Sequence, residues 1–335
     1  MGSNDSTART GTSEASTRLV AAARLAALAI CLAMPMVHPA AAQPPDAPGA
    51  DGAIVSLEPV SCTPRSEYLA LTYWSDGLRV KGFLGRPTGR TGLPAVVFNR
   101  GGLREFGELW AQELVPFVEA GYVAVGSQYR GNCGGEGIEE FGGADVDDVL
   151  SLVTLLKSLP EVDPRRIAMF GGSRGGMMTY LALKQETLRG TRNIAVAATV
   201  GGLADVTRTL WERPGFAVTL AALIGKTPTE APALYQERSA VFWPDLINAP
   251  LLLQHGEADA QVPVEQSMQL ADLLRTAGKT VKLITYPGED HGLSGHLYGI
   301  RETLEWFQHY LGEPGEDLAF DSHRAQMEAA LRSWP

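Results

Sequence analysis

The chain has 335 residues, of which 45% are hydrophobic and 20% charged, the balance of an ordinary globular protein. This composition excludes disordered, collagenous and coiled-coil chains, and no apolar run free of charge and proline is long enough for a membrane-spanning helix. With 28 basic and 38 acidic residues the net charge is −10, which repels phosphate backbones and argues against nucleic acid as a partner.

Arg18 and Arg24 precede an apolar stretch from Leu25 to Val37, and Ala40, Ala41 and Ala42 follow before Gln43. A basic start, a short apolar core and an Ala-x-Ala site describe a secretory signal peptide over residues 1–42. The alternative is an uncleaved anchoring helix. Cys31 follows the bulky Ile30 and does not fit a lipoprotein site. The expected location is therefore exported, periplasmic or secreted, with no stable membrane insertion after cleavage. Export would carry Cys62 and Cys133 into an oxidising compartment, where a disulfide and two inert thiols both remain open.

Residues 43–66 are rich in Pro, Ala and Gly and read as a flexible tether; residues 67–335 read as one domain. It opens with a hairpin, its strands running through Leu69, Leu71 and Tyr73 and through Leu78, Val80 and Phe83 about an Asp76-Gly77 turn. Strands and helices then alternate. The pattern places strands at 95–98, 122–126, 167–170, 194–200, 251–254 and 281–286. Helices fall at 108–120, 145–159, 174–185, 264–277 and 302–310. Such repetition implies an α/β fold with a mostly parallel sheet flanked by helices, and sites at the carboxyl ends of strands. Residues 201–248 break the rhythm and read as a cap insertion. Trp211, Phe216 and Trp243 within it are the expected pocket-lining residues.

Gly171-Gly172-Ser173-Arg174-Gly175-Gly176 lies between a strand and a helix. This is G-x-S-x-G in the strand–turn–helix context it needs, with small neighbours that let strand and helix pack closely while the hydroxyl stands clear. A phosphate loop would need Gly-Lys-Ser/Thr at these glycines, which this segment lacks. Asp259 and His291 follow the strands at 251–254 and 281–286, completing the order Ser, Asp, His. Ser173 is then the candidate nucleophile, His291 the base and Asp259 its orienting acid. His296 is the runner-up base. His255 is expected to satisfy local backbone, and His309 and His323 to lie at the surface. Glu257 and Glu289 are rival acids, and Asp147 and Asp148 read as helix caps or braces. No metal motif and no cofactor are indicated. The Arg174 N–H is the expected first oxyanion donor. The second falls to the loop Asn99-Arg100-Gly101-Gly102-Leu103, with Gly101 and Gly102 both candidates.

These segments resemble the catalytic domain of the prolyl oligopeptidase family of serine peptidases, within the α/β-hydrolases. The resemblance spans roughly residues 68–312 by the element reading above. It is carried by Ser75-Asp76-Gly77, Asn99 to Gly102, Tyr129-Arg130-Gly131, Asp145 to Asp148, Val162-Asp163-Pro164 with Arg166-Ile167, and Gly171 to Gly176. Tyr235 to Ser239, His255-Gly256 with Asp259 and Val262-Pro263, and Asp290-His291-Gly292 complete it. It implies the α/β-hydrolase fold, the triad above, and a peptide substrate. Arg174 departs from the tyrosine often found after the family's serine; its guanidinium is expected to pair with Glu105 or Glu136 rather than with a substrate carboxylate. Larger members carry a β-propeller, and no segment before Tyr68 has room for one. A small ester substrate, with the chain a carboxylesterase using the same triad, is the alternative. A non-catalytic binding protein on this fold is the third reading.

Overall fold

A computed structural model describes residues 48–63 and 65–314. The signal-peptide reading, Cys31, the first residues of the tether and His323 lie outside the described residues.

Nine strands form one sheet in the order β1-β2-β3-β5-β4-β6-β7-β8-β9. They are β1 Ile54–Cys62, β2 Ser66–Ser75, β3 Leu78–Pro87, β4 Leu93–Asn99, β5 Val123–Ser127, β6 Val162–Gly172, β7 Val196–Val200, β8 Leu251–Gly256 and β9 Val281–Tyr286. The pairs from β1 to β5 through β2 and β3 are antiparallel; all the others are parallel. The expected hairpin is β2–β3. Its turn residues Asp76 and Gly77 have φ of 50° and 73°, the positive values a two-residue type I′ turn requires.

The tether reading of residues 43–66 is corrected over its described part. Residues 54–62 form β1, which pairs with β2 from Ile54 opposite Tyr73 to Cys62 opposite Glu67. Its register shifts twice, and Pro59 is tolerated because β1 is the sheet edge, where a missing N–H breaks no ladder. Cys133 carries a free thiol whose Sγ lies 3.2 Å from Glu108 Oε1, so it is not joined to Cys62.

The helices are α1 Val115–Glu119, α2 Asp145–Ser158, α3 Arg174–Leu188, α4 Val206–Glu212, α5 Pro214–Ile224, α6 Pro232–Glu237, α7 Glu265–Thr276 and α8 Ile300–Leu311. The helix expected over 108–120 shrinks to a 3-10 turn at Ala111–Leu114 followed by α1. Gln128 explains the late start: its side chain exchanges hydrogen bonds with both the N–H and the C=O of Leu109 (3.0 and 2.7 Å) and occupies its backbone. In α2, Asp145, Asp147 and Asp148 fill the first turn and Lys157 the last, matching the helix dipole at both ends.

Alternation along the central strands feeds two cores. Val97, Val125, Met169, Ala197, Leu251 and Leu253 face one side, packed with α2, α3, α7 and the cap residues Leu220, Leu223 and Tyr235. Val96, Ala124, Ala168, Phe170, Ala198 and Leu252 face the other, against α1 and α8. Phe98, Phe117, Phe170 and Phe307 meet there, with neighbouring ring centroids 5.3 to 6.4 Å apart. Apolar runs such as Leu251-Leu252-Leu253 form strands because helices cover both faces of the sheet.

Asp148 ties α2 to the antiparallel end of the sheet. Buried, it accepts from Ser75 Oγ (2.8 Å), the Arg130 N–H (2.7 Å) and Arg130 Nη2 (2.9 Å). It is a brace, as expected, while Asp147 pairs with Arg189 at the surface. Replacing Asp148 with Ala leaves the buried Arg130 guanidinium with only the longer contact to the exposed Asp76 (3.4 Å) and is expected to lower stability by about 3–5 kcal/mol in urea denaturation. A loss below about 1 kcal/mol would mean that water reaches Arg130 and that the brace contributes little.

Candidate active site

The site gathers at the carboxyl ends of β4, β6, β7, β8 and β9. Ser173 sits between β6 and α3 with φ 55° and ψ −123°, a region L-residues occupy only when the surroundings enforce it. Close backbone packing does so. A Cβ on Gly175 would lie 1.9 Å from the Asn99 carbonyl oxygen, and one on Gly171 2.2 Å from that of Gly175. The Ser173 N–H donates to Val200 C=O (2.9 Å), and Ser173 C=O accepts from Gly176 and Leu203.

Asp259 lies in the loop between β8 and α7. Its Oδ1 accepts from the N–H groups of Gln261 (2.8 Å) and Val262 (2.9 Å); its Oδ2 meets His291 Nδ1 at 2.6 Å. Burial alone would raise this carboxyl, but hydrogen bonds from His255, His291 and the Val262 N–H outweigh it and hold the group well below the usual carboxylate range. His291 follows β9, and with Ser173 it lines one cavity. Ser173, Asp259 and His291 are thus brought together.

The rival residues separate. His296 stacks on Tyr286 and lies 3.9 Å from Glu289, not on Asp259. Glu289 accepts from the Gly295 N–H and Glu257 from Thr285. His309 is exposed on α8. Among the described residues no group of three or more His, Cys, Asp or Glu is placed to hold a metal.

The loop after β4 passes close to Ser173. A Cβ on Gly101 would sit 3.2 Å from Gly172 O and 3.4 Å from Ser173 Cβ, so a side chain there would crowd the serine turn. Gly102 takes φ 66°, and its carbonyl turns toward Arg174 Nη1 (3.2 Å). The Arg174 N–H belongs to the first residue of α3, where no earlier helical carbonyl can accept it. Arg100, a residue the sequence reading gave no role, shapes this loop. Fully buried, it donates to the carbonyls of Gly101, Arg104, Gly107 and Gln128.

Two expectations are corrected. Arg174 pairs neither with Glu105 nor with Glu136, which is held by Arg79. Its guanidinium, 2% exposed, bonds Glu139 and Asp145 and lies over the rings of Tyr129 and Phe141. Enclosed in this way, it offers nothing to a substrate carboxylate. The pocket residues also change. The cavity at Ser173, about 540 Å³, is lined by Phe98, Pro116, Phe170, Val200 and Ile300, with polar groups from Asn99, Gln112 and Glu113. Trp211, Phe216 and Trp243 do not line it. Trp211 is 86% exposed, Phe216 packs on Phe141, and Trp243 is buried with its Nε1 donating to Gln236 C=O. The cap joins the core on the α2–α3 side of the sheet, whereas the cavity walls belong to the α1–α8 side.

Gly201 carries a role that no local pattern announced. It takes φ 55° after β7, and a Cβ there would lie 3.1 Å from His291 Nδ1.

A model of the prolyl oligopeptidase family matches residues 96–314. YtmA, an uncharacterized peptidase of Bacillus subtilis, is 35% identical over 240 residues, covering 71% of this chain and 92% of that protein. The human acylamino-acid-releasing enzyme is 28% identical over 243 residues, covering 68% of this chain but 33% of that protein. A puromycin-hydrolyzing peptidase of Mycobacterium tuberculosis superposes with TM-score 0.63 at 25% identity, over 79% of this chain and 40% of that one. An acetyl xylan esterase from Paenibacillus sp. R4 shares the fold at TM-score 0.62 and 18% identity, over 76% of this chain and 88% of that one. The chain therefore spans most of YtmA and less than half of the larger relatives. Fold and neighbours define an α/β-hydrolase. Within that class the chain belongs to the prolyl oligopeptidase family and is a serine-type peptidase.

Gly201→Ala tests the seating of the imidazole. A methyl group there displaces His291 from Asp259, so turnover should fall by up to roughly 10²-fold, the scale of a 1 Å misplacement. Circular dichroism should show a folded protein. Full turnover in a folded Gly201→Ala enzyme would show that the ring does not depend on this contact.

Proposed function

We propose that the chain hydrolyses peptide bonds through an acyl-enzyme on Ser173. The observation that carries this reading is the 2.6 Å contact of His291 with the buried Asp259, with His291 and Ser173 lining one cavity. His291 takes the Ser173 proton as Oγ attacks the scissile carbonyl and returns it to the leaving amine. Asp259 orients the ring and stabilises the imidazolium. The Arg174 N–H and an amide of the Gly101-Gly102 loop receive the oxyanion. Water then repeats the sequence against the acyl-enzyme.

The cavity walls favour a bulky apolar residue beside the scissile bond. Relatives named for releasing acylamino acids and for hydrolysing puromycin guide the choice of substrates. A panel of N-acetyl-aminoacyl and free aminoacyl p-nitroanilides, puromycin and p-nitrophenyl esters separates the peptidase reading from the esterase one. Anilides of Phe or Leu should turn over, and Ser173→Ala should lose both turnover, by on the order of 10⁴-fold or more, and labelling by a fluorophosphonate. Ester turnover with no anilide cleaved would make the chain a carboxylesterase. Labelling that persists on another serine would remove Ser173 from its role.

Export is proposed on residues 1–42 alone, with cleavage between Ala42 and Gln43. Intact-mass measurement on protein from the extracytoplasmic fraction should give a chain beginning at or near Gln43. A mass that retains residues 1–42 would overturn cleavage.

A further inference from the structure

The Asp259 carboxylate touches two imidazoles. His255, the fifth residue of β8, is fully buried. Its Nε2 lies 3.0 Å from Asp259 Oδ2 and 2.7 Å from Val262 C=O, and its Nδ1 lies 2.7 Å from Ser267 Oγ on α7. Two acceptors at Nε2 assign the proton to that nitrogen, so Nδ1 accepts from the Ser267 hydroxyl. One ring thereby joins the strand, the acid loop and the helix that follows.

From this geometry we propose that His255 is a positioning residue for the peptidase reaction, and that Ser267 positions His255 in turn. The role rests on the assignment of Asp259 and His291 given above. The oxygen His255 meets is the one that receives His291 Nδ1, while Oδ1 is occupied by two backbone N–H groups. Four donors leave the carboxylate no free rotation about Cβ–Cγ, and Oδ2 stays aimed at His291. Through Nε2 the ring holds the carboxylate so that Oδ2 faces the imidazolium that forms on His291. The expectation that His255 serves only local backbone is therefore half met: Val262 C=O is the backbone part, and Asp259 is the part that bears on chemistry.

The test compares His255→Leu with His255→Gln in the full chain, reading kcat, KM, the thermal midpoint and the rate of fluorophosphonate labelling. Glutamine keeps a donor where Nε2 stood; leucine keeps only bulk. His255→Leu should lose about 10- to 100-fold in kcat, the scale seen when an outer partner of a reactive group is removed, with KM little changed. His255→Gln should recover most of that loss even where both variants melt at the same lower temperature. Equal losses of kcat in the two variants, or full kcat in a folded His255→Leu enzyme, would reduce His255 to a structural residue. If His255→Leu does not fold, Ser267→Ala against Ser267→Thr repeats the comparison: the alanine should lower kcat and the threonine, which keeps the hydroxyl, should restore it. Unchanged kcat in Ser267→Ala would then overturn the proposal. Wild-type enzyme that fails to label at Ser173 would overturn the triad reading and this role together; labelling in wild type with normal His255 variants would overturn this role alone.

Discussion

A backbone contact sets the rest of the site. Gly175 presses against the Asn99 carbonyl and Gly171 against Gly175 with no room for a Cβ at either place. That closeness lets α3 begin one residue after β6 ends and forces Ser173 into its left-handed conformation. The strain, of order 1–3 kcal/mol, is sustained by the hydrogen bond from the Ser173 N–H to Val200 C=O at the end of the neighbouring strand and by the one that Ser173 C=O accepts from the Leu203 N–H just beyond it. Two further strand ends then fall within reach, and with them Asp259 and His291. Glycine is required here for close approach, independently of its freedom in φ.

Buried charge holds the opposite wall. Arg100 and Arg174 both lie over the Tyr129 ring, 5.0 and 4.6 Å from its centroid, and Glu139 and Asp145 supply the counter-charge. Pairs of this kind contribute little net stability because desolvation offsets their attraction, yet removing one partner strands the other. Their consequence here is geometric. Arg100 gathers carbonyls of the loop after β4 and so fixes the path of that loop beside Ser173. Arg174 sends its side chain into the network while its own N–H stays at the first turn of α3. The same residue thus serves the loop with its guanidinium and the proposed oxyanion with its backbone.

The two faces of the sheet divide the labour. The cap buries Leu220, Leu223 and Tyr235 on the α2–α3 side and leaves Trp211, Val218 and Phe242 exposed. The cavity beside Ser173 opens on the α1–α8 side, among phenylalanines that also build that core. Aromatic residues in an insertion near strand ends are therefore no guide to the pocket unless the face they pack on is known.

Much of this was legible in the residue order. Continuous apolar runs marked the inner strands, Asp76-Gly77 marked the hairpin, and a serine between glycines at a strand–helix junction marked the elbow, because each is a local demand on backbone conformation. The order of Ser173, Asp259 and His291 after three strands placed them on one edge, since parallel strands end on the same side. Other features depended on residues far apart in sequence. Ile54–Cys62 carries a proline and little alternation, and it becomes a strand only because β2 offers it an edge. Arg174 had several acids within plausible reach, and only packing selected Glu139 and Asp145. Gly201 beneath His291 and His255 against Asp259 have no local signature, because what they touch arrives from another strand or loop once the sheet has formed. Sequence by itself determined the inner strands, most of the flanking helices and the candidate triad, because each rests on local backbone demands and strand order; tertiary structure decided the edge strand and which side chains surround the site, because contacts across strands are set by register and packing rather than by neighbours along the chain.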